Sequence, residues 1–239
     1  MNIAIIFAGG SGKRMNTRSR PKQFLEYQGK PIIIYTLELF DNHPMIDGIV
    51  IACLKDWIPF LEKMIKKFEI DKVLRIVPGG ESGQESIYNA LCATEEMVED
   101  DDCIVLLHDG VRPLIKEETI TDNIRSVKEF GNCITCVPAT ETFIIRNPDD
   151  SLEIPVRDRC LLARAPQSFY LKDILTGHRR AIAEGNASFI DSCSMLSSYG
   201  HRMHTIIGPM ENIKITTPMD FFLFKAMVEV HENQQIFGL

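Results

Sequence analysis

The feature that most constrains the fold is a short apolar run at the start of the chain, Ile3 to Phe7, which carries no charge and leads into a glycine-rich stretch, Ala8 to Gly12. An apolar run bounded by glycines is typical of a buried strand in a parallel sheet. The glycines let the backbone turn sharply and approach a ligand, because no Cβ stands in the way. The chain is therefore predicted to begin with a strand that ends in a ligand-binding loop.

Basic residues follow this loop closely. Lys13 and Arg14 come directly after Gly12, and Lys22 follows Pro21 on a segment that we expect to be extended. Backbone N–H groups on such a loop, together with nearby cations, suit a phosphate group. The stretch is therefore predicted to form a triphosphate site with Arg14 and Lys22 around it.

Two familiar phosphate-binding motifs do not match this loop. A P-loop continues from Gly-Lys to Ser or Thr, whereas Gly12 and Lys13 are followed by Arg14. A dinucleotide fingerprint needs a third glycine, and that place is taken by Met15. A glycine turn that binds nothing is the remaining alternative, and the basic residues argue against it.

Length and charge exclude several classes of protein. With 239 residues, the chain is long enough for one domain, 1–239, with a substantial core. The net charge of −7 argues against a nucleic-acid partner, which requires a basic face, but allows a local basic pocket. No apolar run approaches the length of a membrane span, and the first residues form a strand rather than a signal peptide. We therefore expect no membrane partner.

The cysteines indicate a reducing compartment. There are seven, an odd number, and they lie scattered in apolar contexts. This usage is typical of reduced core residues in a cytoplasmic protein. Cys133 and Cys136 form a CxxC, but no second pair or spaced His completes a zinc site. They are predicted to be two buried thiols in a strand.

Strand-like and helix-like stretches alternate through the first half of the chain. The predicted strands are 2–7, 48–53, 73–77 and 103–108, and the predicted helices are about 31–42, 56–68, 85–99 and 117–130. Later helices are predicted at 173–184 and 218–233, and a strand at 203–207. This alternation predicts an α/β fold, a mostly parallel sheet flanked by helices on both faces. Ligands of such sheets bind at the carboxyl ends of the strands.

The alternation is interrupted between residues 133 and 165. Short strand-like pieces at 133–137, 143–146 and 153–156 surround the turn sequence Asn147 to Asp150. We predict a protruding β-hairpin arm at about 138–160. A hairpin cannot cover both of its faces within one subunit, so we expect the arm to pack against a second copy in a homodimer.

A second glycine-rich loop, Pro78 to Ser86, lies between a predicted strand and helix. Its backbone donors suit a base or a ribose. A plain helix N-cap turn, with Ser82 or Ser86 as the cap, explains the same sequence equally well.

An acidic residue follows another buried strand. Asp109 stands in Leu107 to Pro113, and a carboxylate at a strand end facing a triphosphate is a natural Mg²⁺ ligand. Arg112 either pairs with Asp109 or steadies the loop, and His108 is predicted to be structural.

A final polar segment runs from Glu211 to Asp220. It is predicted to begin in a strand and to end at Pro218, which opens the last helix with Thr216 or Thr217 as the cap. Lys214 lies between two isoleucines, so its side chain is either solvated or directed into the cleft.

Together these motifs resemble a known family. The stretch Phe7 to Met15 followed by Pro21 to Leu25 is similar to sugar-nucleotide-type nucleotidyltransferases, and more narrowly to the cytidylyltransferases of 2-C-methyl-D-erythritol 4-phosphate and ribitol 5-phosphate. The His-Asp-x-x-Arg-Pro segment at 108–113 and the Asn-Ile-Lys-Ile-Thr segment at 212–216 resemble two later motifs of that family. The five resembling motifs cover nearly the whole chain.

The resemblance implies a Rossmann-like nucleotidyltransferase fold and a Mg²⁺-dependent transfer of CMP from CTP to a small phosphorylated polyol, with release of pyrophosphate. The implied catalytic residues are Arg14, Lys22 and Lys214, and the metal ligand is Asp109. The implied nucleotide-binding residues are Phe7, Ala8, Gly9, Gly10, Ser11, Gly12, Gly79, Gly80, Glu81, Gly83, Ser86 and Gly110. The implied acceptor-binding residues are Thr142, Arg157 and Asp191.

The chain departs from the family pattern at two positions. Gly83 replaces a usual arginine, and Ala165 replaces the threonine of a Thr-Pro-Gln segment. Val111 and Ile154-Pro155 look slightly more like the ribitol enzymes, so ribitol 5-phosphate is favoured over methylerythritol phosphate. A nucleotidyltransferase of another sugar phosphate and a non-catalytic nucleotide-binding homologue remain alternatives.

Overall fold

A computed structural model describes residues 1–10, 20–99, 102–186 and 189–237. The strands are β1 (Asn2–Ala8), β2 (Glu26–Tyr27), β3 (Lys30–Pro31), β4 (Gly48–Cys53), β5 (Val73–Pro78), β6 (Ile104–Asp109), β7 (Asn132–Pro138), β8 (Ile145–Arg146), β9 (Leu152–Glu153), β10 (Leu161–Tyr170) and β11 (Thr205–Ile207). The helices are α1 (Ile32–Asp41), α2 (Ile58–Lys67), α3 (Gly83–Glu95), α4 (Glu117–Phe130), α5 (Leu171–Ala183), α6 (Ser192–Ser198) and α7 (Pro218–Phe237).

Seven strands form the central sheet in the order β11-β7-β10-β6-β1-β4-β5. All of its strands run in one direction except β10, which is antiparallel to both β6 and β7. The mostly parallel α/β sheet predicted from the sequence is confirmed. β1 lies inside the sheet between β4 and β6: the chain first builds outward through β4 and β5 and then returns to the other side of β1 with β6. Ligand crevices form at such reversals of strand order.

Helices cover both faces of the sheet because the strands are apolar on both sides. Ala4 and Ile6 of β1 face a core that contains residues of α1, α2 and α4, whereas Ile3 and Ile5 face residues of α3, α5 and α6. Burying each isoleucine side chain stabilises the fold by about 1.5–3 kcal/mol. The continuous apolar run at the start of the chain is therefore a strand buried on both faces, as predicted.

Strand β10 was not predicted from the sequence. Pro166 lies within it, and a proline cannot donate a hydrogen bond to a neighbouring strand. The structure accommodates it where the pairing of β10 with β7 is irregular, between Ala163 and Gln167. The local sequence signal of a strand is lost at such an irregularity, although the strand is ten residues long.

A hairpin is present within the predicted arm, 138–160, between the end of β7 and the start of β10. β8 and β9 pair antiparallel around the turn at 147–151. The run 133–137, which was grouped with the arm, belongs to β7 of the central sheet. Apolar side chains of the arm are exposed: Ile144, Ile145, Leu152, Ile154 and Val156.

The segment 211–214 was predicted to begin in a strand, and this prediction was wrong. It is a loop that begins in a turn, where Asn212 N donates to Pro209 O over 3.2 Å. Contacts from the loop after β6 hold it instead, because Ile215 N donates to Val111 O over 3.0 Å and Arg112 Nη1 donates to Asn212 O over 2.8 Å. Thr217 caps α7, as its Oγ1 accepts from Asp220 N, and Asp220 in turn accepts from the backbone N–H groups of Thr216 and Thr217.

The seven cysteines are free thiols, and Cys133 and Cys136 are buried in β7 as predicted. Burial raises the pKa of the Cys133 thiol to about 11, so this thiol is protonated at neutral pH. Within the described ranges, every helix is too short or too polar to cross a membrane.

Candidate active site

The loops that follow β1, β5 and β6 meet at one edge of the sheet and surround a cavity of about 500 Å³. We call it the nucleotide cavity. Its lining includes Phe7, Ala8, Gly9, Gly10, Lys22, Gly80, Glu81, Ser82, Gly83, Ser86, Asp109 and Lys214. Most of the described residues that the sequence assigned to nucleotide binding therefore lie around one space.

Two glycines let the loops after β1 and β5 approach each other. A Cβ on Gly79 would stand 3.3 Å from the Gly9 Cα, and a Cβ on Gly9 would stand 2.8 Å from the Ser86 hydroxyl oxygen. Side chains at these positions would push the two loops apart. Gly79 and Gly110 are not part of the cavity lining; a Cβ on Gly110 would touch Ala8 and Ile6 instead. Gly79 and Gly110 instead permit close packing of the chain next to the cavity, against Gly9 and against Ala8 and Ile6.

The second glycine-rich loop is fixed by its own hydrogen bonds. The Ser82 hydroxyl accepts from Glu85 N over 3.0 Å and caps α3, which is why that helix begins at Gly83 rather than at the predicted Glu85. The Ser86 hydroxyl accepts from Gly80 N over 3.0 Å and donates to Ser82 O over 2.9 Å. The helix-cap interpretation is confirmed, and the same loop lines the nucleotide cavity.

Asp109 at the end of β6 is buried between two cations. Arg112 Nε donates to its Oδ2 over 2.8 Å, and Lys214 Nζ lies 2.5 Å from its Oδ1. Burial alone would raise the pKa of the Asp109 carboxyl, but the charges and hydrogen bonds of Lys214 and Arg112 outweigh burial and lower the pKa to about 2. The carboxylate is therefore ionised at neutral pH, and Lys214 is directed into the cleft.

Arg112 is a positioning residue that connects two parts of the site. Besides Asp109 it binds the carbonyl of Asn212, and the Asn212 amide donates to Ala165 O over 2.7 Å. Lys22 reaches the same segment, since its Nζ donates to Ile215 O over 3.0 Å. Both alternatives for Arg112, an ion pair with Asp109 and support of the loop, occur together.

His108 is structural, as predicted. It is fully buried, its ring centroid lies 5.0 Å from that of Phe40, and its Nε2 lies 3.1 Å from the carbonyl of Arg112. Burial lowers the pKa of His108 to about 4, so the ring is neutral and Nε2 donates this hydrogen bond. The His108 side chain therefore holds the loop that carries Arg112 through the Arg112 carbonyl.

A second cavity of about 280 Å³ adjoins the first, and we call it the side cavity. Phe7, Gly83, Asp109 and Lys214 line both cavities and form their common wall. The side cavity is also lined by Gln84, Arg112, Ala163, Arg164, Ala165, Gln167, Ile190, Asp191 and Ser192. A cavity of this size next to the nucleotide cavity suits a second, smaller ligand.

Asp191 lies in the side cavity and is held in place from two directions. Its Oδ1 caps α6 by accepting from Ser194 N over 2.8 Å, and its Oδ2 accepts from the Gln167 amide over 2.9 Å. α6 was not predicted, because its seven residues carry too short an apolar pattern.

Several predicted site residues lie elsewhere. Thr142 and Arg157 are exposed on the arm and are not among the residues that line the two cavities of the described structure. Arg157 Nε lies 3.9 Å from Asp158 Oδ1, with both side chains largely exposed, so this ion pair contributes little. Ser11, Gly12 and Arg14 lie outside the described residues.

Sequence reasoning missed Gln84, Arg164 and Ser192 as site residues. Arg164 and Ser192 stand directly beside two residues that had been noted, Ala165 and Asp191. Their positions facing the cavity depend on the irregular stretch of β10 and on the start of α6, which were not predicted.

The described side chains do not by themselves form a complete metal-binding site. No group of three His, Cys, Asp or Glu side chains suited to a metal occurs in the described ranges. Mg²⁺, however, needs only one or two carboxylates when phosphate oxygens complete its shell. A carboxylate has about four lone-pair sites, so Asp109 retains some beyond those used by Arg112 and Lys214. The residues fit a metal that binds together with a triphosphate.

Comparison with known proteins identifies the family of the chain. The sequence model of the 2-C-methyl-D-erythritol 4-phosphate cytidylyltransferase (IspD) family matches residues 2–230. A ribitol-5-phosphate cytidylyltransferase of Vibrio parahaemolyticus is 52% identical over the full length of both chains. A 2-C-methyl-D-erythritol 4-phosphate cytidylyltransferase of Clostridium botulinum is 37% identical and covers 95% of this chain and 97% of its own.

Solved structures show the same fold. The 4-diphosphocytidyl-2C-methyl-D-erythritol synthase of Anaerococcus prevotii superposes with a TM-score of 0.81 at 27% identity, covering 95% of this chain and 96% of its own. The central sheet and the helices that flank it thus have the fold of this family. The chain belongs to the IspD family of cytidylyltransferases.

Proposed function

We propose that the protein transfers the cytidylyl group of CTP to ribitol 5-phosphate and releases pyrophosphate. The observation that carries this proposal is the common wall of the two cavities, in which Asp109 and Lys214 face both spaces. The names of the relatives support the acceptor, because ribitol-5-phosphate cytidylyltransferases are 52% and 49% identical to this chain over its full length.

In this reaction CTP occupies the nucleotide cavity and the polyol phosphate enters the side cavity. A phosphate oxygen of the acceptor attacks the α-phosphorus in line, the bond from that phosphorus to the bridging oxygen of the β-phosphate breaks, and pyrophosphate leaves with the bonding electrons. A phosphate monoester is already an adequate nucleophile, so no general base is needed. The protein positions the two reactants and stabilises the charge that develops at phosphorus.

Three cations are proposed to supply that stabilisation. Lys214 stands at the common wall, and Lys22 lines the nucleotide cavity. Arg14 is assigned with them from the resemblance of its motif. Lys22 and Lys214 are coupled, since Lys22 Nζ donates to the carbonyl next to Lys214, that of Ile215. Their spacing is therefore fixed by the backbone of one segment.

Mg²⁺ is proposed as the cofactor, held by Asp109 and by oxygens of the triphosphate. When bound, it neutralises phosphate charge and polarises the reacting phosphoryl group. Arg112 keeps Asp109 in place through the 2.8 Å hydrogen bond to Oδ2, which leaves Oδ1 at the side of Lys214 and the cavities.

We further propose that residues 1–239 act as one domain and that the arm joins two copies in a homodimer. Ile144, Ile154 and Val156 of the arm are 60–64% exposed and need a partner surface. Thr142 and Arg157 stand on the same arm. In a dimer they would reach the acceptor phosphate in the site of the other subunit, where an arginine binds phosphate with two donors.

The test is pyrophosphate release with CTP and Mg²⁺, measured in parallel with ribitol 5-phosphate and 2-C-methyl-D-erythritol 4-phosphate. We expect a strong preference for ribitol 5-phosphate. A preference for methylerythritol phosphate, the acceptor named by the family model, would change the proposed acceptor but not the proposed reaction. No release with either acceptor, while CTP still binds, would favour the non-catalytic alternative.

A further inference from the structure

Three buried polar atoms around the side cavity have no hydrogen-bond partner among the described residues. Arg164 Nε, Ser192 Oγ and Gln84 Oε1 are buried without a hydrogen bond to any described residue, and all three side chains line this cavity. Ser192 is only 1% exposed. A buried polar atom without a partner costs about 1–3 kcal/mol, and three around one cavity indicate that a polar ligand completes them.

These three residues lie away from the reacting centre. Asp109 and Lys214 line both cavities, whereas Arg164, Ser192 and Gln84 line the side cavity but not the nucleotide cavity. The acceptor phosphate must lie at the common wall, because it attacks the nucleotide there. The three unpartnered groups therefore face the remainder of the acceptor, its carbon chain.

The chemistry of the three groups fits hydroxyls rather than a second anion. The Arg164 N–H is a donor, the Gln84 oxygen is an acceptor, and the Ser192 hydroxyl is both. A phosphate or carboxylate accepts only and would be repelled by the Gln84 oxygen. Each hydroxyl of a polyol both donates and accepts, so a chain of adjacent hydroxyls satisfies all three groups.

We propose that Arg164, Ser192 and Gln84 bind the hydroxyls of the polyol chain and select the acceptor. This rests on the proposed function and goes beyond it by assigning specificity to residues outside the reacting centre. Arg164 contributes most, because a hydrogen bond from a charged donor stabilises more than a neutral one. Gly83, beside Gln84, leaves the space open, since a Cβ there would meet no atom within 4 Å.

The test compares steady-state kinetics of pyrophosphate release, with CTP and ribitol 5-phosphate, for the wild type and for Arg164→Met, Arg164→Lys and Ser192→Ala. Arg164→Met keeps the length of the side chain and removes its donors. We expect its KM for ribitol 5-phosphate to rise about 10-fold to 100-fold, the worth of a charged hydrogen bond, with the CTP dissociation constant unchanged. Ser192→Ala should raise the same KM less, and Arg164→Lys should recover part of the loss. The matched control is Arg125→Met on α4, an exposed arginine outside both cavities.

Unchanged acceptor KM in Arg164→Met, or equal losses for CTP and acceptor, would overturn the proposal. Glycerol 3-phosphate, which has a phosphate on a shorter chain, serves as a competing inhibitor. If Arg164→Met weakens inhibition by glycerol 3-phosphate as much as it raises the KM for ribitol 5-phosphate, the arginine holds the phosphate. That result would also overturn the proposal. If the wild type binds CTP but releases no pyrophosphate with any polyol phosphate, the proposed function fails first and this inference falls with it.

Discussion

Lys214 Nζ lies 2.5 Å from Asp109 Oδ1, and this ion pair stands in the wall between the nucleotide cavity and the side cavity. The Asp109 side chain is 8% exposed and that of Lys214 is 41% exposed, so the carboxylate anchors a lysine that remains accessible to both spaces. One cation is thereby held where the α-phosphate and the acceptor phosphate would meet.

Replacing Lys214 by methionine should lower turnover far more than nucleotide binding. Its charge is needed most when negative charge develops at phosphorus, so we expect kcat to fall about 100-fold to 10,000-fold and the CTP dissociation constant to change much less. Pyrophosphate release and calorimetric CTP binding measure the two effects. Similar losses in both would count against a role in the transition state.

Lys22→Ala should show the same pattern, with turnover lost and most CTP affinity kept. Lys22 lines the nucleotide cavity and also holds the carbonyl of Ile215, so part of the effect will come from a displaced Lys214 segment. Lys63→Ala on the exposed face of α2 is the control and should behave as wild type. Comparable losses in turnover and in CTP binding for Lys22→Ala would contradict its assignment.

Mg²⁺ alone should not bind the free protein. Arg112 and Lys214 already place two positive charges on the one carboxylate of Asp109, so a divalent cation is repelled until the triphosphate arrives. Calorimetry should detect no saturable Mg²⁺ binding without CTP, whereas Mg²⁺ should strengthen CTP binding. This gain should shrink in Asp109→Asn. Saturable binding of Mg²⁺ to the free protein would refute the prediction.

The stability of the protein should fall as the pH drops from about 6.5 towards 4, partly because of His178. His178 is 3% exposed, and its ring stacks on that of Tyr88 with the two centroids 5.8 Å apart. Burial lowers the pKa of the His178 ring to about 4. The folded state keeps the ring neutral while the unfolded chain binds a proton below about pH 6.5, so each pH unit in this window costs up to about 1.4 kcal/mol.

His178→Phe should remove that part of the pH dependence, since phenylalanine keeps the ring and cannot be protonated. Urea denaturation at several pH values between 4 and 7 measures the free energy of unfolding. The difference between wild type and variant should change with pH in favour of the variant on acidification. His201→Phe, at an exposed histidine, is the matched control for the change of side chain. Parallel curves for wild type and His178→Phe would contradict the explanation.

The arm should supply Arg157 to the other subunit. Arg157→Ala and Lys214→Met are each expected to be inactive alone. Co-expressed, they should form mixed dimers in which one of the two sites has both residues, and should regain on the order of a quarter of wild-type activity for a two-fold symmetric dimer. The control pair is Lys22→Ala with Lys214→Met, which should regain nothing. No recovery with the first pair would mean that Arg157 does not act across the interface.

Much of the fold follows from local sequence patterns. The buried strand at 2–7 and the helix at 117–130 could be predicted because their apolar periodicity is strong and uninterrupted. Strand β10 could not be, since Pro166 and the irregular pairing beside it remove the local signal and the strand is defined by its neighbours. The loop at 211–214 was mistaken for a strand because Ile213, Lys214 and Ile215 alternate between apolar and charged as in a strand, although contacts with another loop hold them.

The candidate site likewise contains residues that could be predicted from the sequence and residues that could not. Asp109, Lys22 and Lys214 were found because each lies in a motif whose chemistry is visible in sequence order. Arg164 was missed because its position beside the side cavity depends on the strands and on α6, which together create that cavity. Ion pairs such as Asp109 with Lys214 join residues far apart in the chain, and no local pattern reports them.

Strand β10 leaves the arm and runs antiparallel through the centre of the sheet, and it carries Arg164 on the way. The proposed subunit contact and Arg164, the residue proposed to contribute most to the choice of acceptor, are thus encoded in one short continuous stretch of the gene. A single recombination event that exchanges this stretch between relatives would transfer pairing and substrate preference together. New acceptors would then evolve most easily along with new partners.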